Sequence, residues 1–250
     1  SRQMIAACQG AGIVRFDTAP IYGLGGAEQL LGMTAGQGAI IHTKIGSRPP
    51  AFPALRGWAK WFRNMAPNSN AAGRLYHPPQ RFARPSAQMD FSPDAVAQSL
   101  ARSRRLLRRD RLDLVMLHEA EPWQVPEATR ALLEVERDAG RIGALGFAHS
   151  GPPLQETAGW IAQCAPWADS LAGSGAGRIF HSILRAAVSC DDPIAAEIDQ
   201  TVAELSLRGQ GPGGRYLAAL VWLHRRQPEA GLVFATTAPE RLASFLALLD

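Results

Sequence analysis

Apolar positions along the chain follow two spacings. Short runs bounded by glycine or charged residues read as strands: Ile13–Asp17, Ala39–Lys44, Leu112–His118 and Ile142–Phe147. Longer stretches repeat their apolar residues at helical spacing. These are Ser1–Gln9, ended by Gly10 and Gly12; Ala27–Leu31, stopped by Gly32; a stretch from Ser92 to about Arg109; and Glu127–Ala139, stopped by Gly140. Ser92-Pro93-Asp94 predicts a helix start, with serine as the N-cap and proline at the first helical position. After Ser150 the pattern weakens. It predicts a helix near Leu154–Cys164, a short strand near Trp167–Leu171 and a strand over Arg178–Arg185. Helices over Ala195–Ser206 and Tyr216–Arg226, a strand Leu232–Thr236 and a helix Pro239–Leu249 follow.

Strands that alternate with helices imply an α/β fold with a parallel sheet. The 250 residues suit one domain spanning the chain. Seven strands are predicted, and a (β/α)8 barrel needs one more. That strand would precede Ser1, so a barrel lacking its first strand is expected. Between the strand Ala39–Lys44 and the helix at Ser92 lies a long irregular segment, Ile45–Phe91, rich in Pro, Gly and Asn. Connections of this length are lids, binding loops or disorder.

Chemistry concentrates where the predicted strands end. Phe16-Asp17-Thr18-Ala19-Pro20-Ile21-Tyr22-Gly23 reads as a buried strand opening into a loop, and ligand sites of α/β folds gather at that end. Alone, Asp17 would read as a helix cap and Tyr22 as a loop tyrosine. Of 26 Lys plus Arg, two are lysines, Lys44 and Lys60. Lys44 ends a strand-like run in which alternation puts it on one face with His42. A lysine in a buried strand is costly unless paired, and unlike arginine it is a tunable ammonium. His118 ends the most apolar strand. By itself it would read as a satisfied core histidine.

Composition narrows the classes. Hydrophobic residues make up 46% of the chain, enough for a full core, and no apolar run approaches the length that spans a bilayer. Cys8, Cys164 and Cys190 have no metal-type spacing, and their odd number argues against a disulfide framework. A reducing, cytoplasmic setting is expected. The net charge of +4 comes with an arginine run from Arg102 to Arg111, which a solvated helix face explains more simply than nucleic acid. From Gln29 to Met89 there is no acidic residue, while basic residues alternate with Trp58, Trp61, Phe62, Tyr76 and Phe82. The loop Ile45–Phe91 is expected to fold over the catalytic face and favour anionic or planar ligands, or else to pack on its own aromatics.

The set Asp17, Tyr22, Lys44 and His118, with its flanking text, resembles the aldo-keto reductase family. The Asp-Thr-Ala-x-x-Tyr-Gly pattern, the strand Leu112–His118, the strand Ile142–Phe147 and the start Pro239-Glu240-Arg241-Leu242 all resemble that family. The text from Lys44 to Met89-Asp90-Phe91-Ser92 is most similar to its sugar and pyridoxal dehydrogenase branch. The resemblance implies a (β/α)8 barrel and an NAD- or NADP-dependent oxidoreductase. The substrate would be a small carbonyl compound or sugar, interconverted with an alcohol or lactol. It implies Tyr22 as general acid-base, Lys44 tuning it, Asp17 pairing with Lys44, and His118 orienting the carbonyl oxygen. A tyrosine hydroxyl is a weak acid, with reference pKa ~10, and a nearby ammonium favours its ionised form.

On the cofactor side the match is thinner. No G-x-G-x-x-G follows a strand, so a Rossmann site is not expected. Where the family has Ser-Asn for the carboxamide, this chain has Ala148 and His149. The glutamine of the family's sixth strand has no evident counterpart, and Asp169 is the nearest polar residue. Thr236 and Arg241 match a phosphate-binding Ser and Arg, with Thr237 beside them and Ser182 on the run Arg178–Arg185 completing the cofactor-side set. Ala235 stands where the family has lysine, and Ser244 and Phe245 where it has the adenine-side Glu and Asn. These changes predict weak discrimination between NAD and NADP. They also keep open a non-catalytic nicotinamide-binding barrel acting as a sensor or subunit. No metal, nucleic acid or membrane partner is expected, and oligomeric state is not legible.

Overall fold

The computed structural model describes residues 2–48, 89–150, 154, 157, 159–166, 171–183, 193–236 and 238–249. Its centre is a parallel sheet of seven strands in chain order: β1 (Arg15–Asp17), β2 (Ile40–Ile45), β3 (Leu112–His118), β4 (Ile142–Ala148), β5 (Ile161–Cys164), β6 (Arg178–Phe180) and β7 (Gly231–Leu232). The helices are α1 (Arg2–Gly10), α2 (Ala27–Thr34), α3 (Pro93–Leu107), α4 (Glu127–Asp138), α5 (Pro193–Glu204), α6 (Gly211–Arg226) and α7 (Pro239–Leu246). The sheet curls enough for α1 and α7, at opposite ends of the chain, to touch. This is the curvature of a (β/α) barrel. Among the described residues β1 and β7 are each paired on one side only. No described helix is long and apolar enough to cross a membrane.

The period of two along the strands divides the core. Outward-facing Ile41, Ile45, Val115, Leu117, Leu145 and Phe147 pack with Val96, Leu100, Leu107 and Leu133 of α3 and α4. A second outer cluster joins Cys164 and Phe180 to α5, α6 and α7. The inner face is filled by Leu114, Met116, Ala148 and Ile179, with Ala144 and Ile161 against them. Parallel register stacks these residues in layers: Asp17, His42, Leu114 and Ala144 lie across from one another, then Lys44, Met116, Gly146 and Ile161, then His118, Ala148, Gln163 and Ile179. Each layer steps one pleat toward the carboxyl ends of the strands. Small residues on β4 open the interior there. A Cβ on Gly146 would lie 2.6 Å from the Ile161 carbonyl oxygen.

Several sequence expectations change. The helix expected near Leu154–Cys164 is instead the strand β5 at its carboxyl end, because Ile161 and Gln163 turn inward while Cys164 faces outward into the cluster of α5, α6 and α7. The strand expected at Trp167–Leu171 lies largely outside the described residues, and Leu171 is not in a strand. The fifth strand therefore sits earlier than the sequence suggested. Gly32 does not stop α2 but lies within it, where α2 crosses α3. Ser92 takes the N-cap position of α3 as expected, in an extended conformation, but its side chain makes no capping hydrogen bond. Its hydroxyl donates to Asp90 at 2.7 Å, and Pro93 takes the first position as expected. Most of the segment Ile45–Phe91, residues 49–88, lies outside the described residues, as does the expectation that it covers the site.

The arginine run is bound into the fold. Arg102 reaches Glu28, Arg104 pairs with Glu136, and Arg109 pairs with Asp113 at 3.5 Å while donating to the Ala39 carbonyl at 2.6 Å. Glu28 is almost fully buried, and it also accepts from Thr43 at 2.8 Å and Ser103 at 2.7 Å. One carboxylate thereby ties α2, β2 and α3 together.

Candidate active site

Lys44 points into the barrel from β2 and is 2% exposed. An unpaired ammonium there would be strongly disfavoured. Its Nζ donates to Asp17 Oδ1 at 2.6 Å and to the Thr18 carbonyl at 3.0 Å. The parallel register explains the reach: Asp17, last residue of β1, lies opposite His42, one inward position below Lys44. Asp17 is held from its other side, since Gln163 Nε2 on β5 donates to its Oδ2 at 2.7 Å. Both carboxylate oxygens are thus engaged, by neighbours 27 and 146 residues away in the chain.

Tyr22 follows from how β1 ends. Thr18 donates its N–H to the His42 carbonyl at 2.8 Å, Tyr22 donates its N–H to Ala19 at 3.0 Å, and a single helical turn runs over Tyr22–Gly25. The Tyr22 ring is laid over the site with 38% exposure. The Lys44 ammonium sits 4.8 Å from its centroid, a cation–π contact. His118, the last residue of β3, meets the ring edge-on at 6.1 Å between centroids and 85° between planes. On its other flank Ser47 Oγ lies 3.1 Å from His118 Nδ1. The four residues singled out in the sequence therefore form one contiguous group, with an exposed phenol beside a buried ion pair and a nearly buried imidazole.

The next polar group lies just past the ends of β3, β4 and β6. Glu119 adopts φ +52°, accepts from the Ser150 N–H at 3.0 Å and from the Ser150 hydroxyl, and stands 4.0 Å from His149 Nδ1. Burial raises the Glu119 carboxyl, but the Ser150 hydrogen bonds and the neighbouring His118 and His149 outweigh it and leave it below the usual range. His149 donates its N–H to the Gln163 carbonyl at 2.9 Å, and its own carbonyl lies 3.1 Å from His181 Nε2. Burial lowers the His181 pKa, against an opposing effect of the His149 carbonyl. Ser182, exposed at φ +57°, lies 2.8 Å from His181 Nδ1.

The remaining cofactor-side residues are more scattered. Thr236 uses its hydroxyl locally, accepting the Ala238 N–H at 3.1 Å. Arg241 is exposed in the first turn of α7, and Thr237 is outside the described residues. Asp169 is also outside them. Gln163, expected in a helix, is a polar residue of β5 and was not singled out in the sequence. Ser47, Glu119 and Ser150 were likewise not singled out. Glu119 and Ser150 directly follow His118 and His149 in sequence, which was the available signal. No group of three or more His, Cys, Asp or Glu among the described residues is arranged to hold a metal ion.

The donor set fits a nicotinamide in one respect. His149 Nδ1 is buried and has no hydrogen-bond partner among the described residues, so a carboxamide, which both donates and accepts, would satisfy it. Ala148 offers no hydroxyl beside it, and the Thr236 hydroxyl is already engaged.

Comparison with known proteins shows the family and the fold. A D-threo-aldose 1-dehydrogenase from Pseudomonas sp is 29% identical over 151 residues, covering 58% of this chain and 42% of that protein. The chain thus spans less than half the length of that relative. The structure superposes on glycerol dehydrogenase from Gluconobacter oxydans with a TM-score of 0.60 at 17% identity, covering 97% of this chain and 77% of the other. It superposes on the holo form of an aldo-keto reductase from Bacillus halodurans with a TM-score of 0.60 at 17% identity, covering 100% and 81%. At such identities these two likenesses speak for the fold alone. The sequence pattern of the aldo/keto reductase family matches residues 1–164, which carry all four residues of the site, and the chain belongs to that family.

Proposed function

We propose that this protein is a nicotinamide-dependent oxidoreductase. It interconverts a carbonyl, in an aldehyde, ketone or sugar lactone, with an alcohol or lactol. The observation that carries this reading is the buried Lys44 ammonium, held by Asp17 and Thr18 against the face of a partly exposed tyrosine.

A bound nicotinamide would give or accept the hydride, and the buried, unpartnered Nδ1 of His149 supports it as the residue that would hold the carboxamide. The protein's own part is proton transfer and charge stabilisation. A carbonyl oxygen that gains negative charge needs a donor, and the Tyr22 hydroxyl supplies the proton. The ammonium over the ring stabilises the phenolate left behind. Asp17 keeps Lys44 in place, and Gln163 keeps Asp17 in place. His118, edge-on to Tyr22, offers an N–H to the same oxygen and orients it. In the oxidative direction the roles reverse, with Tyr22 as the base. NADP and NAD are both accepted in this reading.

A second reading is a barrel that binds the dinucleotide without turnover. Ala148 at the carboxamide position and the locally engaged Thr236 hydroxyl favour it. The two readings part on one experiment. Titrating the protein with NADH and NADPH by fluorescence, then assaying aldoses and small carbonyl compounds through nicotinamide absorbance, should show both binding and turnover. Binding with no turnover across the panel would support the sensor reading. Absence of binding would defeat both.

A further inference from the structure

We propose that Ser47 is a positioning residue that decides which ring nitrogen of His118 carries the proton. The inference rests on the reading of His118 as the group that donates to the substrate oxygen. A neutral imidazole has one donor and one acceptor nitrogen, so its tautomer follows from the partner at the other nitrogen. Donation to a carbonyl oxygen from Nε2 requires Nδ1 to be the acceptor. Ser47 Oγ lies 3.1 Å from Nδ1 and can donate to it. Ser47 is 4% exposed and His118 7%, so water is poorly placed to replace this bond.

The backbone that carries the hydroxyl is also held in place. The chain leaves β2 through Gly46 and Ser47 and returns through Met89, Asp90 and Phe91. The two passages are clasped by a bridge between Ser47 and Met89, and by the Asp90 N–H donating to the Gly46 carbonyl at 2.8 Å. Gly46 has φ +93°, and a Cβ there would lie 2.1 Å from the Phe91 ring, so glycine lets the ring close over it. Phe91 is tied to α4 in turn, its carbonyl accepting from Thr129 Oγ1 at 2.6 Å. Arg48 pairs with Asp90 at the rim of the clasp. Ser47 therefore stands at a fixed point in the fold, unlike a hydroxyl on a free loop. It acts through His118 without touching the reacting atoms.

The test combines a spectroscopic and a kinetic arm. Protein carrying 15N-labelled histidine is compared as the parent, Ser47→Ala and Ser47→Thr, with the His118 signals assigned by their loss in His118→Asn. The parent should show His118 protonated at Nε2 when neutral. Ser47→Ala should shift the population toward Nδ1–H and lower kcat about tenfold, the scale of one buried hydrogen bond, with cofactor affinity unchanged. Ser47→Thr, which keeps the hydroxyl, should restore the parent tautomer and most of kcat. Should Ser47→Ala fail to fold, Ser47→Cys keeps the side-chain shape with a weaker donor and should fall between parent and alanine. A parent protonated at Nδ1, or a Ser47→Ala protein with unchanged tautomer, would overturn the proposal. The spectra need no substrate. A shifted tautomer in a protein that turns nothing over would refute the oxidoreductase reading and leave the positioning role standing.

Discussion

Lys44 concentrates the residue-scale argument. Its ammonium is buried with two oxygen partners, and the residue lies in register with Met116 on the inner face. Removing one member of a buried ion pair leaves a charge without a partner, at roughly 3–5 kcal/mol. Asp17→Ala should therefore lose about that much stability in urea denaturation, although it removes only a few atoms. The double variant Asp17→Leu with Lys44→Met should recover most of the loss and remain inactive. If Asp17→Ala melts like the parent, the pair is not the linchpin described here. Tyr22 separates stability from activity differently. Its hydroxyl has no structural task in the proposed chemistry, so Tyr22→Phe should lower turnover ~10²–10⁴-fold with cofactor affinity nearly unchanged. Turnover within a few-fold of the parent would take the proton-donor role away from Tyr22.

Two element contacts are sharp enough to test. Where α2 crosses α3, a Cβ on Gly32 would lie 2.2 Å from the Leu106 carbonyl oxygen and 2.8 Å from Leu107 backbone atoms. Backbone cannot swing aside as a side-chain tip can. Gly32→Ala should then cost ~1–3 kcal/mol, although alanine is the better helix former. A melting temperature equal to or above that of the parent would show that the helices separate freely. The second contact is Glu136 on α4, which accepts from Arg141 at 2.6 and 3.0 Å and pairs with Arg104 of α3. The Arg141 hydrogen bonds, with Arg104, hold its carboxyl at about 2, against the opposing effect of burial. A carboxyl depressed on folding contributes stability above its unfolded value of 4.5, and the contribution is lost as pH falls toward about 2. Arg141 is half exposed, so the contribution is on the order of 1 kcal/mol. Glu136→Gln should be less stable than the parent at neutral pH, with the difference closing between those two values. An unchanged difference at low pH would rule the ion pair out as its source.

At the scale of the whole molecule, the sheet brings Asp17, Lys44 and His118 together, and in the proposed reading the far end of a dinucleotide would meet fewer charged groups. Arg241 offers one positive charge near the start of α7, and Ala235 stands where a lysine would add a second. A guanidinium fork suits a phosphate, but a single one gives limited selectivity. Binding constants for NADPH and NADH should therefore differ by less than about a hundredfold. A larger preference for NADPH would place the phosphate contacts on other residues.

The sequence alone determined the strands whose pattern is strong and whose ends carry chemistry. The apolar run Leu112–His118 had few alternatives to a central strand, and alternation alone put Lys44 on one face of Ala39–Lys44 with His42. Asp17, Tyr22, Lys44 and His118 were legible because each ends or follows such a run. β5 was not: four residues, Ile161–Cys164, suit a helix as well as a strand, and only the open edge of β4 decides between them. Gln163 was lost with it. Gly32 read as a helix stop because its reason lies on another helix, and Ser47 read as loop because its partner is 71 residues away. Local spacing encodes the period of an element and the face each residue occupies. Which strand lies beside which, and which polar atom meets which across a crossover, depends on register and close packing, and those exist only once the sheet has curled.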